Sequence, residues 1–140
     1  NENNEFDNCD FEFGDALTYQ YEGSDVVASY YTIQFINPSI RQKVINKIYE
    51  SLNWGGAFIM FEKVRGPDAR FQDMMTTLYN EYKLSQGYSE KEIIGKTLSL
   101  KGILEPFSST ANIDMLKRAG FSDINIVFKR LSFEGYLAIK

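Results

Sequence analysis

Two uninterrupted apolar runs flanking one amphipathic segment set the tightest limit on what this chain can fold into. The first, Asp25-Val26-Val27-Ala28 within S-D-V-V-A-S-Y-Y-T-I-Q-F, has no polar alternation, so it predicts a strand covered on both faces, as in the parallel sheet of an α/β domain. Asn37-Pro38 then opens a helix, with Asn37 as N-cap and Pro38 in the first turn, where no N–H is needed. Ile40, Val44, Ile48 and Leu52 recur along one face, and Arg41, Lys43, Lys47 and Glu50 are expected on the solvated side. Asn53-Trp54-Gly55-Gly56 ends the helix, and Ala57-Phe58-Ile59-Met60-Phe61 supplies the second buried strand. Strand, helix and parallel strand make a right-handed crossover. Ligands of open α/β sheets lie beyond the carboxyl ends of such strands, which places Ser29, Tyr30 and Tyr31 at a candidate site. Glu62 emerges at the same edge, either as a steering or acid–base carboxylate or as an ion-pair partner of Lys63 or Arg65.

Upstream, Asp10 to Phe13 predicts a short strand stopped at Gly14-Asp15. The Asp15 carboxylate either accepts a hydrogen bond from an adenine amino group, with the Ala16 N–H donating to the ring, or closes an Asx-type turn. Downstream, Gly66-Pro67-Asp68 opens a helix whose face carries Phe71, Met74, Met75, Leu78, Tyr79 and Tyr82 and which Gly87 caps; such a stripe is core or a subunit contact. Ser89 to Glu92 is a capping box for a helix reaching toward Leu104, and Ser108-Ser109 caps another carrying Ile113, Leu116 and Ala119. The segments Ile124 to Phe128 and Phe133 to Ile139, joined by a tight turn, predict an antiparallel hairpin at the end of the sheet.

The chain of 140 residues, 44% hydrophobic and 24% charged, has the profile of one globular domain spanning 1–140. A net charge of −4 argues against a broad nucleic-acid surface. Histidine is absent, which excludes an imidazole base or a His-ligated metal, and no metal site is predicted. Cys9 has no partner for an internal disulfide or zinc site, fits a reducing, cytoplasmic setting, and is expected as a small apolar filler. No signal peptide or membrane-length apolar run is present in the sequence, and a first residue other than Met suggests a fragment or a processed product.

Taken together, G-D (Gly14-Asp15), V-V followed by Y-T-I-Q-F, P-S-I-R-Q, K-I-Y-E-S-L-N-W-G-G-A, F-E-K, G-Y-S-E-K-E-I and L-K-R-A-G-F (Leu116 to Phe121) resemble the C-terminal part of class I S-adenosylmethionine-dependent methyltransferases. Within that superfamily they are similar to the carboxy-S-adenosylmethionine synthase group, associated with wobble-uridine modification in tRNA. The resemblance implies a Rossmann-like methyltransferase fold of α/β class, C-terminal half, with a mostly parallel sheet, an antiparallel C-terminal hairpin and helices on its faces. It implies S-adenosyl-L-methionine as cofactor, Asp15 and Ala16 on its adenine, and Tyr30, with Tyr31, walling the sulfonium; it assigns no catalytic residue. Two positions depart from the synthase pattern: Tyr30 stands for an asparagine, and Thr97 for the arginine that holds the extra carboxylate. Losing that arginine removes a charge-assisted hydrogen bond of about 1.5–3 kcal/mol, which favours the ordinary cofactor over the carboxylated one unless Arg65 or Arg70 takes its place.

The first strands and the glycine-rich cofactor loop of the superfamily have no counterpart in the chain. In the superfamily strand order 3-2-1-4-5-7-6, two absent strands separate the Asp10 strand from the Asp25 strand, so an apolar strand edge is expected. A second copy, a missing N-terminal segment or a rearranged N-terminus is expected to cover it. The function that follows is methyl transfer by the intact parent domain to an unidentified acceptor. The alternatives are a non-catalytic binding or dimerisation module, and a carboxy-S-adenosylmethionine synthase-like enzyme.

Overall fold

Strand β1 (Ser24–Tyr30) and strand β2 (Leu52–Lys63) lie side by side in the same direction, joined by helix α1 (Pro38–Ser51), as the apolar runs require. The computed structural model describes residues 9–140. After β2 come helices α2 (Ala69–Ser85), α3 (Glu90–Ser99) and α4 (Ser109–Ala119), then strands β3 (Asp123–Arg130) and β4 (Phe133–Ile139). The sheet order is β1-β2-β4-β3, with β4 antiparallel to both its neighbours. This is the 4-5-7-6 part of the expected order, and the β3–β4 hairpin falls where the sequence places it.

Local signals explain the element ends. The Asn37 side chain accepts the Ser39 N–H at 3.0 Å, Asp68 caps α2 through Phe71 N–H, and Ser89 with Glu92 forms the full capping box. Gly120 ends α4 at φ 119°, and a Cβ there would come within 2.6 Å of the Tyr49 ring. Gly120→Ala is therefore expected to cost about 1–2 kcal/mol and lower Tm by about 4–8 °C, read by a thermal melt followed by circular dichroism.

The core lies on one face of the sheet only. Phe58, Met60, Tyr136 and Ala138 meet Val44, Ile45 and Ile48 of α1 and Met115 and Leu116 of α4, all nearly or fully buried. On the opposite face Val26 and Ala28 are exposed, so the expectation that both faces of β1 are covered is not met: among the described residues no layer lies over the second side of the apolar run. α2 has no fully buried residue and leaves Phe71, Met74 and Leu78 about half exposed, so its stripe is not core among the described residues.

Four further expectations change. Asp10 to Phe13 is not a strand, and the Phe11 and Phe13 rings are exposed; a D-F-E-F segment needs a partner strand to form a ladder, and no described strand pairs with it. Residues 16–21 instead pack against α1, where the Lys47 ammonium donates to Leu17 O and Tyr19 O at 2.8 and 2.7 Å. β2 begins at Leu52, taking Asn53 to Gly56 into an irregular strand start whose register shifts against β1. α3 stops at Ser99, short of Leu104, and Cys9 is exposed, not a filler. No described strand pairs with the outer edge of β1, and no described helix is long and apolar enough to cross a membrane.

Candidate functional site

The carboxyl end of β1 is built by a chain of hydrogen bonds that carries the parallel ladder past the last strand residue. Tyr31 N–H donates to Phe61 O at 2.9 Å, Ile33 N–H to Glu62 Oε1 at 3.1 Å, and Lys63 N–H to Gln34 Oε1 at 2.7 Å. Between them Tyr31 takes φ 54°, a left-handed conformation that a bulky residue adopts only when its surroundings impose it. The turn brings Tyr30 and Tyr31 together edge to face with centroids 4.6 Å apart, Tyr30 5.6 Å from Phe61 and Tyr31 5.6 Å from Phe133. Tyr30 is 71% exposed, so its ring is a free surface at the strand tip. Burial, with Tyr30 and Glu62 nearby, raises the Tyr31 hydroxyl above the usual phenol range.

Glu62 is neither a solvated acid nor an ion-pair partner. It is 2% exposed, and burial pushes its carboxyl up to about 7 against the N–H groups of Gln34 and Ile33 and the charge of Arg41. Glu62 lies on the helix-covered face of the sheet, as Ser29 does, and the buried Ser29 hydroxyl has no partner among the described residues. Lys63, on the alternate face, lies 5.3 Å over the Tyr79 ring.

Arg41, expected in solvent, is the largest of the fully buried side chains. Its Nε donates to Ile36 O at 2.7 Å, Nη1 to Glu105 O at 2.7 Å and Nη2 to Gln34 O at 2.9 Å, with the guanidinium over Phe107. It ties the turn after Tyr31 to the α3–α4 connection. The spacing 41, 44, 45, 48 is an i, i+3, i+4, i+7 stripe, so the arginine sits inside the apolar face and could have been found there.

Asp15 adopts the turn alternative: its Oδ1 accepts Leu17 N–H at 2.7 Å. Ala16 is half-buried, its carbonyl accepting the Tyr21 hydroxyl. No hydrogen bond or ring contact joins Asp15 or Ala16 to Tyr30 or Tyr31; the first pair is anchored to α1 through the Lys47 bonds to Leu17 and Tyr19, the second to the end of β2. Among the described residues no group of three or more Cys, Asp or Glu is placed to hold a metal ion.

The fold is that of Rossmann-like methyltransferases. Human N-acetylserotonin methyltransferase, solved in complex with S-adenosylmethionine, superposes on 94% of the chain with a TM-score of 0.63 at 18% identity, the match taking in 33% of that protein. At that identity the likeness shows the fold alone. By sequence, the chain is similar to carboxy-S-adenosyl-L-methionine synthases. It is 44% identical over 122 residues to that of Campylobacter lari and 41% identical over 136 residues to that of Nautilia profundicola, matches covering 87% and 97% of the chain. The chain spans about half the length of these relatives, 52% and 56%. No protein-family model matches it.

Proposed function

We propose that this chain is part of an S-adenosylmethionine-dependent transferase acting in the cytoplasm, with the end of β1 walling the cofactor. The observation that carries this reading is the exposed Tyr30 ring, packed edge-on against Tyr31 at the carboxyl end of a strand in a parallel pair. Among the described residues no lysine or arginine lies over either ring, although six such cation–ring contacts occur elsewhere. The exposed Tyr30 ring therefore has no competing cation among the described residues and is open to a cationic ligand centre, of which a sulfonium is one. When bound, the cofactor supplies an electrophilic carbon beside its sulfonium. The chain's own part is to orient that centre and exclude water; Glu62 and Arg41 hold the turn that sets the rings. Asp15 and Ala16 are assigned to the adenine through Asp15 Oδ2, which no described group occupies.

The second reading is a carboxy-S-adenosylmethionine synthase-like enzyme working in tRNA modification. The names of the relatives support it, and so does one feature of the structure: Arg65 and Thr97 line one hollow, so that hollow keeps an arginine although Thr97 replaces the family one. Arg70 does not line that hollow. In either reading the free edge of β1 is covered by a second copy or by a further segment of the parent. A single monomeric species in size-exclusion chromatography removes the second copy.

Isothermal calorimetry with S-adenosylmethionine, S-adenosylhomocysteine and the carboxylated cofactor tests these readings. Heat with S-adenosylmethionine is expected, and Tyr30→Ala should weaken binding by about 0.5–2 kcal/mol, roughly two- to thirtyfold. Preference for the carboxylated ligand selects the synthase; no heat with any of the three leaves a non-catalytic module.

A further inference from the structure

One rung of the sheet runs Tyr30, Phe61, Gly135, Phe128, each residue directly opposite the next on β1, β2, β4 and β3. Its three rings stand on the face of the sheet opposite α1 and α4, with the Phe61 ring 5.6 Å from that of Tyr30 and 6.0 Å from that of Phe128. The fourth position has no side chain. Glycine inside a strand weakens it, so its place there needs a reason, and Gly135 has a steric one. A Cβ at 135 would come within 2.7 and 3.0 Å of two Phe61 ring carbons and 3.1 Å of Phe128 Cβ. The Phe61 ring therefore leans over the main chain of β4 into space that any other residue would fill.

Strand β4 cannot retreat from an added methyl group. On the helix-covered face the residues either side of Gly135 are fully buried and tied together: Glu134 accepts the Ser109 hydroxyl at 2.9 Å, the Lys129 ammonium at 2.7 Å and the Tyr136 hydroxyl at 2.5 Å. The Phe61 ring is left to yield. With Phe128 Cβ closing one side of it, the ring is displaced toward its other neighbour on the rung, Tyr30.

We propose that Phe61 and Gly135 are positioning residues for Tyr30, setting the tilt of its ring and through it the affinity of the strand-end site. The inference rests on the cofactor reading above. The ladder fixes the Tyr30 backbone, but a ring 71% exposed keeps rotamer freedom that binding must remove. A ring already seated between Phe61 and Tyr31 loses less on binding, and a cation is attracted only when it lies over the ring face within about 6 Å of the centroid. Displacing Phe61 disturbs that seat without touching the ligand.

Two measurements on Gly135→Ala, Phe61→Leu, Tyr30→Ala and the control Leu137→Ala, a half-buried residue of β4 outside the rung, test this. The first needs no ligand: in protein with 13C-labelled tyrosine rings, the Tyr30 resonance, assigned by its loss in Tyr30→Ala, should move in Gly135→Ala and in Phe61→Leu and stay in place in Leu137→Ala. The second is calorimetry with S-adenosylmethionine, where Gly135→Ala and Phe61→Leu should each weaken binding about threefold or more, and Leu137→Ala should leave it unchanged while lowering Tm. In the Tyr30→Ala background Gly135→Ala should change affinity by less than about twofold, which a general loss of packing would not produce. Phe61→Leu adds no bulk and keeps the test open if Gly135→Ala does not fold. No heat with the wild type overturns the cofactor reading, and this inference with it. Heat with the wild type but an unmoved Tyr30 resonance, unchanged affinity in both rung variants, or a full Gly135→Ala effect without Tyr30 overturns the positioning role alone.

Discussion

Arg41→Met should lower the unfolding free energy by about 3–4 kcal/mol, measured by urea titration. The guanidinium is 2% exposed and gives three hydrogen bonds to main-chain carbonyls, Ile36 O, Gln34 O and Glu105 O. Methionine nearly keeps the volume and removes every donor. A charge-assisted bond contributes about 1.5–3 kcal/mol and an orphaned buried carbonyl costs about 1–3, so the loss exceeds what the added apolar burial returns. Gln34 O keeps a second donor, Glu105 N–H, which holds the figure below the sum of three bonds. Arg41→Lys should fall between, because one ammonium cannot serve three divergent carbonyls. The turn that fixes Tyr31 also loosens, so the near-ultraviolet tyrosine signal should change with stability. A loss under about 1 kcal/mol would mean that the buried cation does not hold the turn.

Glu62 should impose a stability that falls as pH rises. Its carboxyl is held up to about 7 in the folded chain, above the ordinary glutamate range, so between about 4.5 and 7 the folded state binds the proton that the unfolded state has released. With fewer protons on the unfolded state, unfolding becomes easier with increasing pH. The contribution is complete below about 4.5 and gone above about 7, an expected swing of about 3 kcal/mol. Other groups also titrate; Glu134, which burial raises but Lys129, Tyr136 and Ser109 pull below the usual range by a larger combined effect, works in the opposite sense at lower pH. The difference between the wild type and Glu62→Gln isolates the one group. The amide can still accept the Ile33 N–H, so the variant should gain relative stability as pH rises from 4.5 to 8. Parallel pH profiles for the two proteins would show that Glu62 is ionised at little cost in the fold.

How far the site is legible in the sequence differs from residue to residue. Val26 to Ala28, Pro38 to Ser51 and Ala57 to Phe61 carry their conformations in apolar runs and helical spacing, and the Ser89–Glu92 box and Gly120 mark their own ends. Tyr30 and Tyr31 follow from strand polarity alone. Asp15 does not: its carboxylate faces two outcomes of similar local chemistry, and the Leu17 N–H two residues on takes it.

What the chain's order of residues determines by itself is the crossover, the hairpin and the strand tips, because each depends on interactions within a few turns or on a periodic apolar face. Tertiary structure alone decides that Phe11 and Phe13 join no described ladder, that Glu62 meets an amide 29 positions earlier, and that Lys63, Lys83, Lys96 and Lys101 line one hollow. Those outcomes depend on which segments the sheet brings alongside one another. A buried charge or an unpaired strand takes its meaning from partners far away in sequence, so no local pattern can encode it.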